Sequence, residues 1–296
     1  MGTAKARDIG ALLRDGERSF SFEFFPPKDE EGEAVLWRSL GELEPLRPTF
    51  VSVTYGAGGT TRDRTVAITR RIAQETSMLP MAHLTCVGHT TGELAEVVRQ
   101  LSAAGVRNVL ALRGDPPGGP GTDWVPTPDG VDYASDLVAF LKAEADVSVG
   151  VAAFPEGHRD AASLDADTAV LEAKRDAGAE FAVTEMVLRA SDYFGLVGRA
   201  QGRGVDFPIV PGIMPILNLA SMRKMVELSG REIPDEVLAR ILPLEDDPAA
   251  LRAEGVKIAT ELCNVLLEGG APGLHFYTLN RSKATREIFQ GLRSTV

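Results

Sequence analysis

The residue that most strongly indicates chemistry is Glu23, a carboxylate inside the aromatic run Phe20-Ser21-Phe22-Glu23-Phe24-Phe25, which otherwise has the character of a buried strand. An ionised carboxylate in an apolar strand is costly unless a partner neutralises it. Two interpretations stay open: Glu23 belongs to a structural ion pair, or its pKa is raised and it is kept for proton transfer. The second is favoured because several later apolar runs also end in polar residues.

Polar and aromatic side chains follow these later runs: Thr54, His83, Arg113, Asp115, Phe154, Glu156, His158, Thr184, Glu185, Tyr277, Asn280 and Arg281. In a barrel of parallel strands, the carboxyl ends of all strands meet at one face and build the active site there. Taken singly, each residue also fits a structural role. His83 fits a hydrogen-bonded core histidine, Arg113 and Asp115 a local ion pair, His158 an exposed loop residue, and Lys174 a solvated charge on a helix.

Length and composition fit one barrel domain over residues 1–296, because 44% of the residues are hydrophobic and supply a large core. The net charge of −11 argues against nucleic acid and anionic membranes as main partners, although a local pocket can still bind a small anion. Cys86 and Cys263 form no disulfide framework or metal-ligand spacing, which favours a reducing, cytoplasmic setting. Residues 1–16 lack the apolar core of a signal peptide, and no run reaches membrane-spanning length.

An alternation of strands and helices runs through the sequence. The strands are near-continuous apolar runs, which is typical of parallel strands buried on both faces. They are predicted at Ser19–Phe25, Phe50–Tyr55, Met81–Cys86, Asn108–Arg113, Ser148–Phe154, Phe181–Val187, Pro208–Met214 and Leu274–Leu279. Eight strands alternating with helices predict an α/β fold, a (β/α)8 TIM barrel in a single domain. A doubly wound open sheet is the alternative, but the first strand is followed by Pro26-Pro27 rather than by a glycine fingerprint.

Helical patterns fill the intervals. A short leading helix is predicted from Ile9, Leu12 and Leu13 and is expected to stop at Gly16. Thr90 and Glu93 have the spacing of a capping box, and Gly105 and Gly178 follow helix ends where a left-handed residue is favoured. Two extra helical patterns, 234–241 and 248–267, precede the last strand.

The segment Pro116–Gly130 interrupts the alternation of strands and helices, since it is rich in proline and glycine and carries one aromatic residue, Trp124. Long loops at this end of a barrel are often functional, but a tolerated surface insertion fits equally well, and both interpretations stay open.

The residues alone leave the reaction open. His83, Asp115, His158 and Glu185 could be assembled into a metal site, although the sequence lacks the paired His-x-His of many barrel metallohydrolases. There is no nucleophile elbow, Walker loop or dinucleotide fingerprint, and the turn at 56–59 (Gly-Ala-Gly-Gly) is a weak signal. The residues therefore predict a barrel enzyme with a buried acid, a basic residue and a polar, aromatic pocket.

Five segments, in order along the chain, resemble methylenetetrahydrofolate reductase: Phe22-Glu23-Phe24-Phe25-Pro26-Pro27, Phe50-Val51-Ser52-Val53-Thr54-Tyr55-Gly56-Ala57, His83-Leu84-Thr85-Cys86, Ala111-Leu112-Arg113-Gly114-Asp115 and His275-Phe276-Tyr277-Thr278-Leu279-Asn280-Arg281. The resemblance is to the catalytic barrel, without the regulatory extension of eukaryotic members. It implies NAD(P)H-dependent, FAD-mediated reduction of 5,10-methylenetetrahydrofolate to 5-methyltetrahydrofolate, an oxidoreductase reaction of one-carbon and methionine metabolism.

The resemblance also implies residue roles. Glu23 is expected to be the general acid that protonates the folate N10, and its aromatic neighbours are expected to raise its pKa toward the working pH. Asp115 is expected to be the second catalytic residue, near both the flavin and the pterin. FAD is expected to contact Thr54, His83, Arg113, Asp115, Tyr133, Ala134, Ala152, Phe154, His158, Asp167 and Lys174. Substrate is expected to contact Glu23, Asp115, Glu185, Met225, Tyr277 and Arg281.

Three positions depart from the family pattern. Glu185 stands where the family usually has glutamine, Phe154 replaces a frequent tyrosine, and Met225 replaces an aromatic residue of some members. The resemblance implies a homo-oligomer, whereas the choice between NADH and NADPH is not readable. A metal-dependent barrel hydrolase or lyase and a non-catalytic flavin- or folate-binding homologue are the alternatives.

Overall fold

Eight parallel strands form a closed barrel in strand order β1-β2-β3-β4-β5-β6-β7-β8, with β8 pairing back onto β1. The computed structural model describes residues 8–55, 62–116, 118–119 and 122–293. The strands are β1 Ser19–Phe24, β2 Phe50–Val53, β3 Pro80–Thr85, β4 Asn108–Leu112, β5 Ser148–Ala153, β6 Phe181–Met186, β7 Ile209–Ile213 and β8 Gly273–Tyr277. The predicted TIM barrel is confirmed, and the open doubly wound sheet is wrong.

Most of the predicted strands extend one or two residues too far at their carboxyl ends. Thr54, Arg113 and Phe154 lie just after β2, β4 and β5 instead of within them. At these positions the chain turns away from the ladder, so the side chains are carried by the first residues of loops. Such loops at the carboxyl face are where barrel enzymes build their sites.

The helices of the described residues are α1 Ile9–Arg14, α2 Glu30–Leu43, α3 Arg62–Glu75, α4 Thr91–Ala103, α5 Ala134–Glu144, α6 Leu164–Asp176, α7 Ala190–Gly202, α8 Leu219–Ser229, α9 Asp235–Ile241, α10 Pro248–Glu268 and α11 Ser282–Arg293. Three of them separate β7 from β8. The sequence pattern predicted only α9 and α10 there. The additional helix α8 packs Met222 and Val226 into a side cluster with α9.

Local signals at helix ends are confirmed. Thr90 accepts a hydrogen bond from the Glu93 backbone N–H, and the Glu93 carboxylate accepts one from the Thr90 backbone N–H, so the capping box is complete. Gly105 and Gly178 have φ values of 81° and 108°, in the left-handed region that glycine adopts without strain.

Helix α1 closes the amino end of the barrel. The Ile9 backbone N–H donates to Asn108 Oδ1 at 3.0 Å, and the Gly10 N–H donates to Ser148 Oγ at 3.1 Å. Ile9 packs in one cluster with Phe50 and Phe181. This apolar plug leaves the polar residues to the opposite, carboxyl end.

No helix in the part of the chain that the structure describes is long and apolar enough to cross a membrane. That residues 1–296 form one domain stays a prediction.

Helix α10 approaches the β7–α8 connection so closely that a side chain at Gly255 would overlap the carbonyl oxygen of Ile216. Gly255→Ala is therefore expected to lower the free energy of unfolding by about 1–3 kcal/mol, because backbone on both sides must shift. Gly41→Ala is the matched control, since that helical glycine faces open space and alanine is expected to stabilise α2 by about 0.5–1 kcal/mol. Urea unfolding of both variants measures their free energies of unfolding. Equal changes in the two variants would contradict the close approach of α10 to Ile216.

Candidate active site

Glu23 lies on β1 with its carboxylate among three polar side chains. Its Oε2 atom is 3.2 Å from His275 Nε2, 3.4 Å from His83 Nε2 and 3.4 Å from the Ser52 hydroxyl, which donates to it. The strand register causes this convergence, because Glu23 is paired with Ser52 on one side and with Tyr277 on the other, two residues beyond His275. The side chain retains 15% exposure, so the carboxylate is still reachable from solvent.

Ser21 anchors the His275 ring. The Ser21 hydroxyl lies 2.7 Å from His275 Nδ1 and 3.4 Å from the Leu274 carbonyl oxygen. This contact occupies one ring nitrogen and leaves Nε2 to face Glu23 Oε2 at 3.2 Å. A hydrogen bond between Nε2 and Oε2 requires a proton on one of these two atoms.

The pKa of Glu23 lies below its ordinary value. Burial acts to raise it, but attraction to His83 and the hydrogen bond with His275 oppose burial and outweigh it. The expectation that aromatic neighbours raise this pKa is therefore wrong. The reason is geometric: imidazole rings rather than phenyl rings face the carboxylate.

His83 is buried, and burial lowers its pKa to about 4, so the ring is neutral at neutral pH. Its attraction for Glu23 therefore acts only in acid, which leaves His275 as the partner that matters near neutrality. Within the described ranges, the His83 Nε2 atom makes no hydrogen bond of good geometry. The interpretation of His83 as a satisfied core histidine is not supported by this unpaired atom.

Six of the residues expected at the flavin form one connected group beyond β4 and β5. Its members are Arg113, Ala152, Phe154, His158, Asp167 and Lys174. The Arg113 guanidinium lies 3.5 Å from Asp160, whose backbone N–H donates to His158 Nδ1 at 3.1 Å. The His158 ring packs edge-on against Phe154 at 4.8 Å, and its backbone N–H donates to Asp167 Oδ1 at 3.1 Å.

Lys174, on α6, is the remaining member of this group. Its Nζ donates to the Ala152 carbonyl at 2.9 Å and lies 5.8 Å from the centre of the Phe154 ring. Both Lys174 and Asp167 are buried, so the solvated helix charge that the sequence pattern suggests is wrong. Burial lowers the pKa of Lys174 to about 8, and Asp167 acts against this shift.

The Pro116–Gly130 segment contacts the site where it is described. Its Trp124 ring lies 5.1 Å from the Arg113 guanidinium carbon, and the Trp124 Nε1 atom is buried without a hydrogen-bond partner in the described part of the chain. Thr127 accepts from the Gly88 N–H, which ties the loop to the β3–α4 connection. These contacts favour the functional interpretation over an unattached surface insertion. Residues 117, 120 and 121 and the turn at 56–59 lie outside the described residues.

The remaining expected residues lie around this face. Tyr277 is in contact with the Glu23 group, since its ring packs edge-on against His275 with ring centres 5.5 Å apart. Thr54 follows β2, and its carbonyl accepts from the Thr65 hydroxyl. Tyr133 caps α5 and is 58% exposed, and Ala134 is the first residue of that helix. Asp115, Met225 and Arg281 are exposed, on the β4 loop, on α8 and after β8. The Tyr277 hydroxyl donates to the Thr184 carbonyl at 2.6 Å, so its ring rather than its hydroxyl faces the site.

Sequence reasoning missed the roles of His275 and Arg231. His275 was noted only as part of a motif, although a histidine in the apolar strand Gly273–Tyr277 is a signal of the same kind as Glu23. Arg231 follows α8, and its buried guanidinium lies between Glu156 and Glu185. No local pattern marks this arginine, since its partners come from the loop after β5 and from strand β6, both distant in sequence. Among the described residues there is no cluster of three or more His, Cys, Asp or Glu that could hold a metal ion.

The sequence matches the family model described as Methylenetetrahydrofolate reductase over residues 8–293. It is 39% identical over 273 residues to the 5,10-methylenetetrahydrofolate reductase of Escherichia coli (strain K12), covering 92% of this chain and 90% of that protein. It is 36% identical over 295 residues to Methylenetetrahydrofolate reductase (NADH) 1 of Arabidopsis thaliana, covering 96% of this chain but 50% of that protein.

A solved structure supports the fold. It is described as an uncharacterized protein from Clostridium thermocellum that binds two copies of 5-methyl-5,6,7,8-tetrahydrofolic acid. Its TM-score is 0.68 at 13% identity, and the match covers 97% of this chain and all of that one. At this identity the likeness concerns the barrel alone.

The lowered pKa of Lys174 predicts a specific pH dependence of stability. Between its folded pKa of about 8 and its ordinary 10.5, the unfolded chain binds the extra proton, so raising the pH stabilises the folded state. As the pH is raised through this range, the free energy of unfolding of the wild type is expected to increase, relative to that of Lys174→Met, by on the order of 3 kcal/mol. Urea unfolding at intervals from pH 7.5 to 10.5 measures the difference, with Lys142→Met as the exposed control. A difference independent of pH would contradict the burial of a chargeable amine.

Proposed function

The chain belongs to the methylenetetrahydrofolate reductase family, and we propose that it uses FAD as its cofactor and NADH or NADPH as its reductant. It is an enzyme that reduces 5,10-methylenetetrahydrofolate to 5-methyltetrahydrofolate. In the balanced reaction, a hydride from NAD(P)H reaches the methylene carbon, a proton reaches N10, and the bond between N10 and that carbon breaks. The observation that carries the mechanism is the 3.2 Å contact between Glu23 Oε2 and His275 Nε2 at the carboxyl end of the barrel.

The donor set at β4 and β5 fits FAD. A diphosphate favours cations, and in a chain of net charge −11 Arg113 and Lys174 supply them at this end of the barrel. Trp124 offers a buried, unpaired indole N–H beside Arg113. Thr54, His83, Tyr133, Ala134, Ala152, Phe154, His158 and Asp167 would line the rest of the cofactor's site. When bound, the flavin supplies the hydride transfer that amino-acid side chains cannot perform.

The side chains of the protein would supply the proton and would position the substrate. Glu23 would deliver the proton from its Oε2 atom to N10, while Ser21 holds His275 in place to share it. Asp115 and Glu185 would accept hydrogen bonds from the pterin, and Met225, Tyr277 and Arg281 would contact the remainder of the substrate. Bound ligands would cover the exposed part of Glu23, which favours its protonated form.

Two further expectations extend this proposal. The family resemblance supports a homo-oligomer and a cytoplasmic location, and both stay predictions. The choice between NADH and NADPH is settled by comparing the two nucleotides in the assay described next.

Glu23→Gln is expected to lower the rate of folate reduction by at least about 10²- to 10⁴-fold, because an amide cannot donate the required proton. Reduction of the flavin by NAD(P)H should remain largely intact, since hydride transfer to the flavin needs no proton from Glu23. Anaerobic stopped-flow absorbance of the flavin measures the two half-reactions separately. Glu261→Gln is the surface control, because Glu261 pairs with Arg240 on the outside of the barrel. Loss of both half-reactions in a folded Glu23→Gln protein would contradict the acid role, and an inactive wild type would favour a non-catalytic binding protein.

The folate half-reaction is also expected to lose rate at alkaline pH. The acid works only in its protonated form, so the rate should fall about tenfold per pH unit above the pKa of the Glu23–His275 pair in the substrate complex. The NAD(P)H half-reaction should lack this alkaline limb. The same stopped-flow measurement from pH 6 to 10 tests it, and identical pH profiles for both half-reactions would show that the proton comes from elsewhere.

A further inference from the structure

Arg231 is a buried cation that the mechanism above does not use. It lies in the connection after α8, and its side chain is only 6% exposed. Its Nε atom is 3.3 Å from Glu156 Oε2, its Nη2 atom is 3.4 Å from Glu185 Oε2, and its Nη1 atom donates to the Met186 carbonyl at 3.5 Å. The guanidinium therefore bridges the loop after β5 and the last two residues of β6.

These contacts are poor for a structural ion pair. All three distances are long, and within the described residues the buried Nε atom has no hydrogen bond of good geometry. Buried ion pairs stabilise a fold only when hydrogen bonds satisfy their donors well. A role beyond stability is therefore needed to explain why an arginine occupies this position.

Arg231 acts on the charges of both carboxylates, and Glu185 is the one expected at the substrate. The groups that face it are Arg231, Asp115 from the β4 loop and Tyr277 from β8. Burial raises the pKa of Glu185, Asp115 acts in the same direction by charge repulsion, and Arg231 is the cation that opposes both. Glu156 lies on the other side of Arg231, where Asp192 and Arg189 also act on it.

A bound ligand would strengthen this dependence. The Glu185 side chain is partly buried but still 42% exposed, so water reaches part of it. A pterin laid against it would exclude that water, and the cost of an unpaired carboxylate would rise. The effect of Arg231 should therefore appear in substrate binding rather than in stability.

We propose that Arg231 is a positioning residue that keeps Glu185 ionised, so that the carboxylate accepts two N–H donors from the pterin edge of the folate. This inference rests on the proposed function. An ionised carboxylate only accepts, whereas a protonated one would set an O–H donor against the donors of the ligand. The glutamine usual in the family is neutral and needs no cation.

A double-mutant cycle over Arg231 and Glu185 tests the proposal. Arg231→Met is expected to raise the KM for methylenetetrahydrofolate by about tenfold at pH 7. The KM should fall back as the pH is raised, because Glu185 then ionises without the help of a cation. In the Glu185→Gln background, Arg231→Met should change the KM by less than about threefold. Arg223 lies on α8 and forms an exposed ion pair with Glu245, so Arg223→Met is the matched control.

The NAD(P)H half-reaction provides the second measurement. It should stay within about twofold of wild type in Arg231→Met, because the pterin contact is absent from it. The proposal would be overturned if Arg231→Met raised the KM equally in the wild type and in the Glu185→Gln variant. Arg231 would then act through Glu156 or through packing, and not through Glu185. A KM for Arg231→Met equal to that of wild type, or a KM independent of pH, would also overturn it.

Two results distinguish a folding defect, or a failure of the proposed function, from a failure of this inference. If Arg231→Met does not fold, Arg231→Gln replaces it in the same cycle, and failure of both to fold would overturn a positioning role. If the wild type accepts electrons from NAD(P)H but does not reduce the folate, the proposed function itself fails. An active wild type with an unchanged Arg231→Met overturns only the inference.

Discussion

The contact between Glu23 and His275 is the interaction on which the rest of the site depends. It joins the first strand of the barrel to the last, across 252 positions of sequence, and it exists only because β8 closes the sheet onto β1 in one register. A slip by one residue would turn His275 toward the helices and leave Glu23 as an unpaired buried carboxylate. Barrel closure and proton chemistry are therefore one constraint, and the plug formed by α1 at the amino end confines that chemistry to the carboxyl end.

Much of the fold is readable from local patterns. The apolar runs of the strands, the Thr90–Glu93 capping box and the glycines after helices each depend on residues a few positions apart, and all are confirmed. The strand ends are less readable, because an apolar or aromatic residue such as Phe154 continues the pattern after the ladder has ended. Helix α8 was missed, since it packs into a side cluster and not against the main core.

The site is readable only in part, for a physical reason. Glu23 is conspicuous because a charge interrupts an apolar strand, but its pKa depends on partners from β3 and β8 that no local pattern specifies. The aromatic neighbours in sequence alternate away from the carboxylate, as neighbours on a strand must. Lys174 shows the same limit, since helix α6 places it against Phe154 and the Ala152 carbonyl instead of in water. In both cases, residue type is readable and the three-dimensional environment that sets the charge is not.

Buried cations explain how an acidic chain accommodates this chemistry. Lys174 and Arg231 lie at the carboxyl ends of β5 and β6, the first against the Phe154 ring and the second between Glu156 and Glu185. Each lies where the proposed ligands would bring further charge or exclude water. An anionic cofactor near Lys174 would raise the pKa of that amine and restore its charge, whereas a pterin against Glu185 would draw on the fixed charge of Arg231. Lysine suits the first position because its protonation can follow the ligand, and arginine suits the second because its planar guanidinium can face two carboxylates at once.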